Sequence, residues 1–301
     1  MSSPAHALLL TAGLGTRLRP LTLVRAKPAL PVGGVPMARR IITWLADAGV
    51  TDVVLNLHHL PGSISAVVGD GSDLGVRARY SWEQPVVLGS AGGPRQALDI
   101  IGADTFFLVN GDTLTDLRLQ DLAVAHAQTG ALVTLAVIPN LYPLRYSGLR
   151  VAPDGAVVGV VPRGANEPSF HFIGAQVAHR EAFASAPAGR PSNSIGEVYS
   201  ALMAAQPGSV RVHECDARFW DIGTVQDYWH TSHLFTTGET PTTVPGSILW
   251  DNVRLGDGCR LHRCIVTDGV AVPDGSTWTD SILIREPNGG VMAIPFDPER
   301  V

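Results

Sequence analysis

The sequence has few cysteines, no long hydrophobic run and no basic cluster, and each shortage excludes a class of protein. Its 3 cysteines are an odd number without Cys-x-x-Cys spacing, which argues against a disulfide framework and against a zinc site. No apolar run approaches the roughly 20 residues that a membrane span requires. The formal net charge of -5 makes nucleic acid an unexpected partner.

The start of the chain, Met-Ser-Ser-Pro-Ala-His, lacks the basic and apolar regions of a signal peptide, so we expect a cytoplasmic protein that does not bind a membrane.

Lysine is almost missing: of the 22 lysine and arginine residues, only Lys27 is a lysine. A compact, mobile ammonium differs physically from a planar guanidinium. The retained lysine therefore indicates a position that arginine cannot fill, with chance retention as the alternative.

Short apolar segments alternate with amphipathic ones over the first 235 residues. The pattern predicts strands at residues 7–11, 52–57, 76–81 and 105–109, and helices at residues 36–48 and 118–128. This alternation predicts an α/β fold with a mostly parallel sheet flanked by helices. Ligands of such sheets bind beyond the carboxyl ends of the strands.

The pattern changes after Phe235, and the chain is predicted to consist of a main domain at 1–235, a linker at 236–246 and a tail at 247–301. Apolar residues of the tail recur every six positions, with one slip: Leu255, Leu261, Val266, Val272, Trp278 and Ile284. This period predicts a short left-handed parallel β-helix, with an irregular β-tail as the alternative. So few coils are unstable alone, so we expect them to pack on the main domain or to join subunits into a homo-oligomer.

A glycine-rich loop, Gly13-Leu14-Gly15-Thr16-Arg17-Leu18, follows the first strand. It is not the dinucleotide fingerprint, because Leu18 stands where the third glycine belongs, and it is not a Walker A loop. Glycines after a first strand turn backbone N–H groups toward an anion, and Arg17 and Lys27 add two positive charges. The loop therefore predicts a triphosphate-binding site, with a plain strand turn as the alternative.

The whole run from Gly13 to Thr22, followed by Lys27-Pro28, resembles the signature of the sugar-1-phosphate nucleotidylyltransferases. The resemblance extends to Gln84 with Leu88-Gly89-Ser90-Ala91-Gly92, Asn110-Gly111-Asp112, Tyr146-Ser147-Gly148, Phe172-Ile173-Gly174 and Trp220-Asp221-Ile222-Gly223-Thr224. It implies a Rossmann-like fold of the GT-A type. It also implies transfer of a nucleotidyl group from a nucleoside triphosphate to a sugar 1-phosphate, which gives a nucleoside-diphosphate sugar and pyrophosphate.

The resemblance implies a role for each matching residue. Arg17 and Lys27 would be catalytic, and Asp112 and Asp221 would bind Mg²⁺. The implied nucleotide-binding residues are Ala12, Gly13, Gly15, Thr16, Gln84, Gly89 and Ser90, and the implied sugar-phosphate-binding residues are Asn110, Gly148, Arg163, Gly174 and Glu197. Arg163 is expected to take the place of a second lysine that many family members have, with absence of this contact, as in shorter branches of the family, as the alternative. From the residues alone, Asp112 could be a turn aspartate, Asp221 a helix N-cap, and Glu197 a solvated first-turn glutamate.

Two further stretches, Pro-Val-Gly-Gly-x-Pro-Met and Asn-Leu-His-His-Leu, are similar to the mannose-1-phosphate guanylyltransferase and N-acetylmuramate-1-phosphate uridylyltransferase branches. The Leu-Gly-Ser-Ala-Gly loop and the tail favour the former, so we expect GTP and mannose 1-phosphate. Uridylyl or thymidylyl transfer to N-acetylmuramate or glucose-type sugar 1-phosphates stays open. The alternative from another class is a non-catalytic regulatory protein that binds a nucleotide sugar, against which the retained Arg17, Lys27, Asp112 and Asp221 argue.

Overall fold

The computed structural model describes residues 3–236 and 244–299. The helices of these residues are α1 (Met37–Asp47), α2 (Pro61–Val68), α3 (Gly89–Ile101), α4 (Leu119–Thr129), α5 (Ser200–Ala205) and α6 (Val225–Phe235). Short 3-10 turns occupy Thr16–Leu18, Leu21–Leu23, Lys27–Ala29, Ser72–Leu74 and Arg180–Phe183, and a π-helix occupies Ser194–Tyr199.

The strands are short, apart from β11. They are β1 (His6–Leu10), β2 (Pro31–Val32), β3 (Val35–Pro36), β4 (Asp52–Leu57), β5 (Arg77–Trp82), β6 (Thr105–Asn110), β7 (Thr113–Thr115), β8 (Val133–Pro139), β9 (Gly148–Val151), β10 (Val157–Val161), β11 (Phe170–His179), β12 (Val210–Glu214), β13 (Phe219–Asp221), β14 (Ile248–Leu249), β15 (Arg254–Leu255), β16 (Arg260–His262), β17 (Ile265–Val266), β18 (Ala271–Val272), β19 (Thr277–Thr279), β20 (Ser281–Arg285) and β21 (Val291–Pro295).

The chain forms two compact units. The first unit contains Met1–Gly13 and Ala38–Phe219, and the second contains Leu14–Met37 and Trp220–Val301. The predicted division at 235 and 247 follows changes in composition, whereas these units follow contacts, so the predicted domain boundaries stay a prediction. Most of the predicted linker, residues 237–243, lies outside the described residues.

A nine-stranded sheet forms the centre of the first unit. Its order is β10-β9-β11-β6-β1-β4-β5, and β8 pairs with β11 and β12. The pairs β1–β4, β1–β6, β4–β5 and β8–β12 are parallel, whereas β11 is antiparallel to β6 and β8. The predicted α/β fold with a largely parallel sheet is confirmed. The antiparallel β11 was not predicted, because an apolar strand pattern carries no information on strand direction.

Buried apolar strands explain why this sheet forms the core. Leu8 on β1 and Leu108 on β6 are paired across parallel strands, and both are fully buried with Phe106, Leu135 and Phe183 in one hydrophobic cluster. Strands that are buried on both faces are near-continuous apolar runs, as these are. The polar segments that follow them therefore begin where the core ends, which places possible ligand-binding residues at the carboxyl ends of the strands.

Parallel ladders organise the C-terminal part of the second unit. Ile248 pairs with Ile265 and Ile265 with Ile282, and the β15–β18 and β16–β19 ladders have the same offset of 17 residues. The predicted slip between Leu261 and Val266 accounts for the offset of 17 residues rather than 18 in the β15–β18 and β16–β19 ladders. The predicted place of Ile284 in the apolar column is wrong, because Val266 pairs with Leu283, which is the residue in the buried cluster. Leu255 is a second exception, because it is 40% exposed. Strand β21 pairs antiparallel with β20.

Candidate active site

Two loops leave the sheet of the first unit side by side. Leu10 of β1 is paired with Asn110 of β6, and the backbone N–H of Gly111 donates to the carbonyl of Leu10 at 3.0 Å. Residues 11–13 and 110–112 therefore emerge together at the carboxyl ends of neighbouring parallel strands, where ligands of such sheets bind. Asp112 is half-buried at the tip of the second loop.

Gly174 packs against the second of these loops. It has a φ of +85°, and a Cβ at this position would lie 3.2 Å from Asn110 Nδ2 and 3.2 Å from Thr113 Oγ1. The register of β11 against β8 shifts between Phe172 and Gln176, on either side of this glycine. A glycine is required here both by the backbone conformation and by the close approach. The structure thus brings together two of the sugar-phosphate-binding residues that the sequence predicted, Asn110 and Gly174.

A cluster of rings lies next to Gly148 along the chain. The rings of Tyr146 and His171 have their centroids 4.1 Å apart, and the ring of Phe219 is 5.0 Å from His171. Burial lowers the pKa of His171, and the charge of Arg145 lowers it further, although a hydrogen bond with the Ser147 backbone acts in the opposite direction. The lowered pKa favours the neutral form of the imidazole. His171 was not among the residues predicted from the sequence.

The loop predicted to recognise the base is held by a facing segment of the first unit. Gly89 has a φ of +76°, and a Cβ there would lie 2.7 Å from the carbonyl oxygen of Ser192. The backbone N–H of Ser192 donates to Leu88, and that of Ser194 donates to Ser90 Oγ, both at 2.9 Å. These bonds hold residues 88–90 against the segment at 192–194.

A buried carboxylate connects this loop to the first one. Glu83 Oε2 accepts from the Leu88 N–H at 2.6 Å, and Glu83 Oε1 accepts from Asn56 Nδ2 at 2.7 Å. Asn56 Oδ1 accepts in turn from the Thr11 N–H at 2.6 Å. Glu83 is fully buried and Asn56 is 2% exposed. This network was not predicted from the sequence, although the single asparagine inside the apolar strand Asp52–Leu57 indicates a polar contact in the core.

Gly93 of α3 makes room for this network. A Cβ at Gly93 would overlap Glu83 Oε1 and would lie 2.8 Å from Asn56 Nδ2. A glycine inside a helix costs about 1 kcal/mol relative to alanine, so its presence here requires a packing reason. The close approach of the helix backbone to the Glu83–Asn56 pair supplies that reason.

Three predicted site residues of the first unit are on the surface and have local contacts. Gln84 is exposed beside Glu83, and Arg163 is exposed in the turn that follows β10. Glu197 lies in the first turn of the π-helix, where its carboxylate accepts from Asn193 Nδ2 at 3.0 Å and from the Asn193 N–H at 3.3 Å. The contacts of Glu197 fit its alternative interpretation as a first-turn helix residue. The roles of all three in binding stay predictions.

In the second unit, the glycine-rich loop folds back on its lysine. Gly15 has a φ of +59°, and its carbonyl accepts from Thr22 Oγ1 at 2.9 Å. A Cβ at Gly15 would lie 2.8 Å from Thr22 Cγ2 and 3.3 Å from Lys27 Cβ. Lys27 is only 8% exposed and begins the turn Lys27–Ala29. Thr16, next to Gly15, starts the turn that carries Arg17.

Arg17 and Asp221 border the same glycine of the second unit. A Cβ at Gly223 would lie 3.2 Å from Arg17 Nη1 and 3.4 Å from Asp221 Oδ2. The N-cap of α6 is Thr224, which forms a capping box with Asp227. The interpretation of Asp221 as the N-cap of this helix is therefore wrong.

The donor chemistry of the two aspartates fits a hard cation. Asp112 and Asp221 are half-buried carboxylates, each in its own unit. Within residues 3–236 and 244–299, no group of three or more His, Cys, Asp or Glu side chains could hold a metal ion. Mg²⁺ prefers oxygen ligands and is usually held by one or two carboxylates together with substrate phosphates. Carboxylate oxygens of this kind suit Mg²⁺, and the assignment of Asp112 and Asp221 as its ligands stays a prediction.

Comparison with known proteins identifies the class. Residues 6–238 match the family described as nucleotidyl transferase. The chain belongs to this family and is an enzyme. No helix in the described part of the chain has the length and apolar character needed to cross a membrane.

Relatives extend over most of the chain. Mannose-1-phosphate guanylyltransferase from Mycobacterium tuberculosis is 29% identical over 89% of this chain and 81% of its own length. N-acetylmuramate alpha-1-phosphate uridylyltransferase from Neisseria meningitidis is 44% identical over 111 residues, which are 37% of this chain and 48% of the relative. The solved structure of HddC from Yersinia pseudotuberculosis with GMP-PN shares the fold, with a TM-score of 0.66 and 22% identity over 77% of this chain and all of that one.

Proposed function

We propose that this enzyme transfers a nucleotidyl group from a nucleoside triphosphate to a sugar 1-phosphate, and that the substrates are GTP and mannose 1-phosphate. The observation that carries the proposal is the folded glycine-rich loop, in which Gly15 packs against Lys27 while Arg17 and Asp221 border Gly223. The choice of substrates is supported by the guanylyltransferase relative, which covers 89% of this chain.

The reaction requires no covalent enzyme intermediate. An oxygen of the sugar phosphate attacks the α-phosphorus of the nucleoside triphosphate, and pyrophosphate leaves in line. Catalysis is then mainly positioning and charge stabilisation. The guanidinium of Arg17 suits the β- and γ-phosphates, because its planar fork matches two oxygens at once. The ammonium of Lys27 suits the α-phosphate, because a compact charge can follow an oxygen as the geometry changes.

We assign Mg²⁺ binding to Asp112 and Asp221, whose carboxylates fit that ion. When bound, Mg²⁺ would supply Lewis-acid stabilisation of phosphate charge. The first loop, with Ala12, Gly13, Gly15 and Thr16, offers backbone N–H groups to the phosphates. Because glycine has no side chain, the backbone N–H groups of the glycines can approach the anion closely.

The remaining predicted residues divide between the base and the sugar. We propose that Gln84 and the backbone of Gly89 and Ser90 bind the base, since residues 88–90 are held rigidly by Glu83 and by the segment at 192–194. Asn110, Gly148, Gly174, Glu197 and Arg163 are proposed for the sugar phosphate. Of these, Asn110 and Gly174 have the strongest support, because they pack together.

A second candidate reaction is uridylyl transfer to N-acetylmuramate 1-phosphate. The observation in its favour is the 44% identity over 111 residues with the N-acetylmuramate alpha-1-phosphate uridylyltransferase relative. That match covers 37% of this chain, whereas the guanylyltransferase relative covers 89%. We therefore place the guanylyl reaction first.

The test is pyrophosphate release with Mg²⁺ across GTP, UTP, dTTP, CTP and ATP, each with mannose, glucose and N-acetylmuramate 1-phosphates. We expect GTP with mannose 1-phosphate to be the fastest pair, and Lys27→Arg to abolish its turnover. A faster uridylyl reaction would move the assignment to the second candidate. Turnover by Lys27→Arg at the wild-type rate would contradict the assigned role of the lysine.

We also propose that the tail at 247–301 is the left-handed β-helix, that it joins subunits into a homo-oligomer, and that the enzyme is cytoplasmic. The three parallel ladders with a common offset of 17 residues support the coil. Light scattering coupled to size exclusion measures the mass of the assembly. A mass of one 31.8 kDa chain would contradict the homo-oligomer.

A further inference from the structure

Arg25, two residues before Lys27, is bound by two carboxylates from turns between the C-terminal strands of the second unit. Its Nε and Nη2 donate to Asp268 Oδ2 and Oδ1, both at 2.6 Å, and Nη2 also donates to Asp251 Oδ2 at 2.5 Å. Arg25 is 8% exposed, so this is a largely buried cation. The two-point contact with Asp268 is the bidentate geometry that guanidinium forms with carboxylate and that lysine cannot form.

The same guanidinium closes the turn that contains Lys27. Nη1 of Arg25 donates to the carbonyl of Ala29 at 3.4 Å, across the turn Lys27–Ala29. The guanidinium also lies over the ring of Trp250, 5.5 Å from its centroid. The backbone of Lys27 is therefore fixed between an anchored arginine on one side and its own turn on the other.

A second contact holds the far end of this segment. Trp250 Nε1 donates to the Tyr228 hydroxyl at 2.8 Å, and that hydroxyl donates to the carbonyl of Pro31 at 2.7 Å. Tyr228 is fully buried. Residues 25–31 are thus attached at both ends to a group of side chains that includes Trp250, which contacts Arg25 and Tyr228 at once.

Arg25 and the two aspartates stabilise one another. Asp251 and Asp268 are 17 residues apart, in the turns that follow β14 and β17, and the Asp251 N–H donates to Asp268 Oδ1 at 3.2 Å. Burial works against the charge of Arg25, but the bonds and charges of Asp268 and Asp251 outweigh it and raise the pKa of Arg25. Stacking two carboxylates without a cation would cost free energy through repulsion between like charges.

We infer that Arg25, Asp251 and Asp268 form a positioning device for Lys27, so that the C-terminal strands take part in catalysis without touching substrate. The inference rests on the proposed function, in which Lys27 acts on the α-phosphate. It differs from an ordinary structural ion pair in one respect. A positioning residue loses its effect on turnover when the residue that it positions is removed, whereas a structural residue keeps its effect.

The experiment is a double-mutant cycle on the full chain with Asp268→Asn and Lys27→Ala, measured as kcat and KM in the pyrophosphate-release assay. Asp274→Asn is the matched control, because Asp274 accepts a backbone N–H bond from Asp257 with the same spacing of 17 residues. We expect Asp268→Asn to lower kcat about tenfold with little change in KM, because a displaced Lys27 would stabilise the transition state less. A tenfold change corresponds to about 1.4 kcal/mol of transition-state stabilisation. In the Lys27→Ala background, Asp268→Asn should change kcat by less than about twofold.

Each other outcome has a distinct meaning. An equal loss from Asp268→Asn in both backgrounds would show an ordinary structural role and would overturn the inference, as would full activity of Asp268→Asn beside an inactive Lys27→Ala. Full activity of Lys27→Ala would instead contradict the proposed role of the lysine. Should Asp268→Asn fail to fold by its melting curve, Asp251→Asn takes its place in the cycle, since that carboxylate is 71% exposed and makes one bond to Arg25.

Discussion

Both units place a buried charge behind a loop proposed to bind substrate, but they neutralise that charge differently. In the first unit, fully buried Glu83 is satisfied by neutral donors, the Leu88 N–H and the Asn56 amide. In the second unit, Arg25 is satisfied by two carboxylates, of which Asp268 is 30% and Asp251 71% exposed. One support is a network of hydrogen bonds, and the other is an ion-pair cluster open to solvent on one side.

This difference has consequences for how each loop responds to its surroundings. Salt screens charges that reach the solvent and has little effect on bonds in a dry interior. The loop at 88–90 should therefore keep its shape over a wide range of ionic strength, whereas the turn that carries Lys27 should loosen as salt rises. The comparison predicts that the position of residues 88–90, proposed to bind the base, is insensitive to salt. It predicts that the position of Lys27, proposed to be catalytic, depends on the ion pairs of Arg25.

The largest expected effect is that of Lys27→Ala on turnover. Removal of one preorganised group that stabilises developing charge costs about 10²–10³-fold in kcat. The pyrophosphate-release assay measures the loss. The control is Arg39→Ala, which also removes one positive charge, because Arg39 forms an ion pair with Asp73 at the surface. The control should be within about twofold of wild type, because exposed ion pairs contribute little. Equal activity of Lys27→Ala and Arg39→Ala would contradict the proposed catalytic role of Lys27.

The next effect tests the first unit through Glu83→Gln. The substitution keeps the shape but turns an NH₂ group toward a donor, so a buried N–H of Leu88 or Asn56 loses its acceptor. We expect a loss of about 2–4 kcal/mol in the free energy of unfolding, measured by urea denaturation, because unsatisfied buried polar groups are costly. Glu181→Gln, at an exposed glutamate, is the control. Equal stability of the two variants would show that the network does not support the loop.

Much of the fold was predictable from sequence because it depends on local patterns. Residues 52–57 form β4 as predicted, and the helix predicted at 118–128 is α4 (Leu119–Thr129). The signature residues of the loops were also readable, because phosphate binding requires glycine and cations in a short run. These features need no knowledge of distant contacts.

The partners in the supports behind the loops were not predictable, because they are far apart in the chain, although Asn56 alone indicated a polar contact in the core. Arg25 and Asp268 are separated by 243 residues, and neither belongs to the resemblance that identified the site. Glu83 and Asn56 are 27 residues apart, and Glu83 directly follows β5, so only the register of β4 and β5 brings them together. His171 likewise joins Tyr146 only through the sheet. Side chains that act through others leave no short motif.

A moderate effect is expected from Gly15→Ala, which tests the fold of the catalytic loop. Gly15 has a φ of +59°, and a Cβ would lie 2.8 Å from Thr22 Cγ2. Strained backbone and a close contact together should cost about 1–3 kcal/mol of stability, measured by thermal melting. Gly13→Ala is the matched control, because a Cβ there meets nothing within 4 Å and its φ is not in the left-handed region. Equal melting temperatures would contradict the structure of this loop.

The smallest effect is on the acid stability of the first unit. Burial lowers the pKa of His126, with a further contribution from His179, and burial followed by Arg145 lowers the pKa of His171. The unfolded chain therefore binds more protons as the pH falls below the ordinary histidine value of 6.5. Stability that is complete above this value is lost as the pH falls toward the pKa of the folded state.

Replacement of one histidine should flatten this fall. His171→Gln removes a group that gains a proton on unfolding, so the stability of this variant should decline less than that of wild type as the pH falls below 6.5. Urea denaturation at a series of pH values measures both curves, and His230→Gln, at an exposed histidine, is the control. Parallel curves for His171→Gln and wild type would mean that His171 has the same pKa in the folded and the unfolded chain, which would contradict the lowering of its pKa by burial. The ring cluster beside Gly148 would then have no effect on the ionisation of His171, in contrast to the two carboxylates that raise the pKa of Arg25.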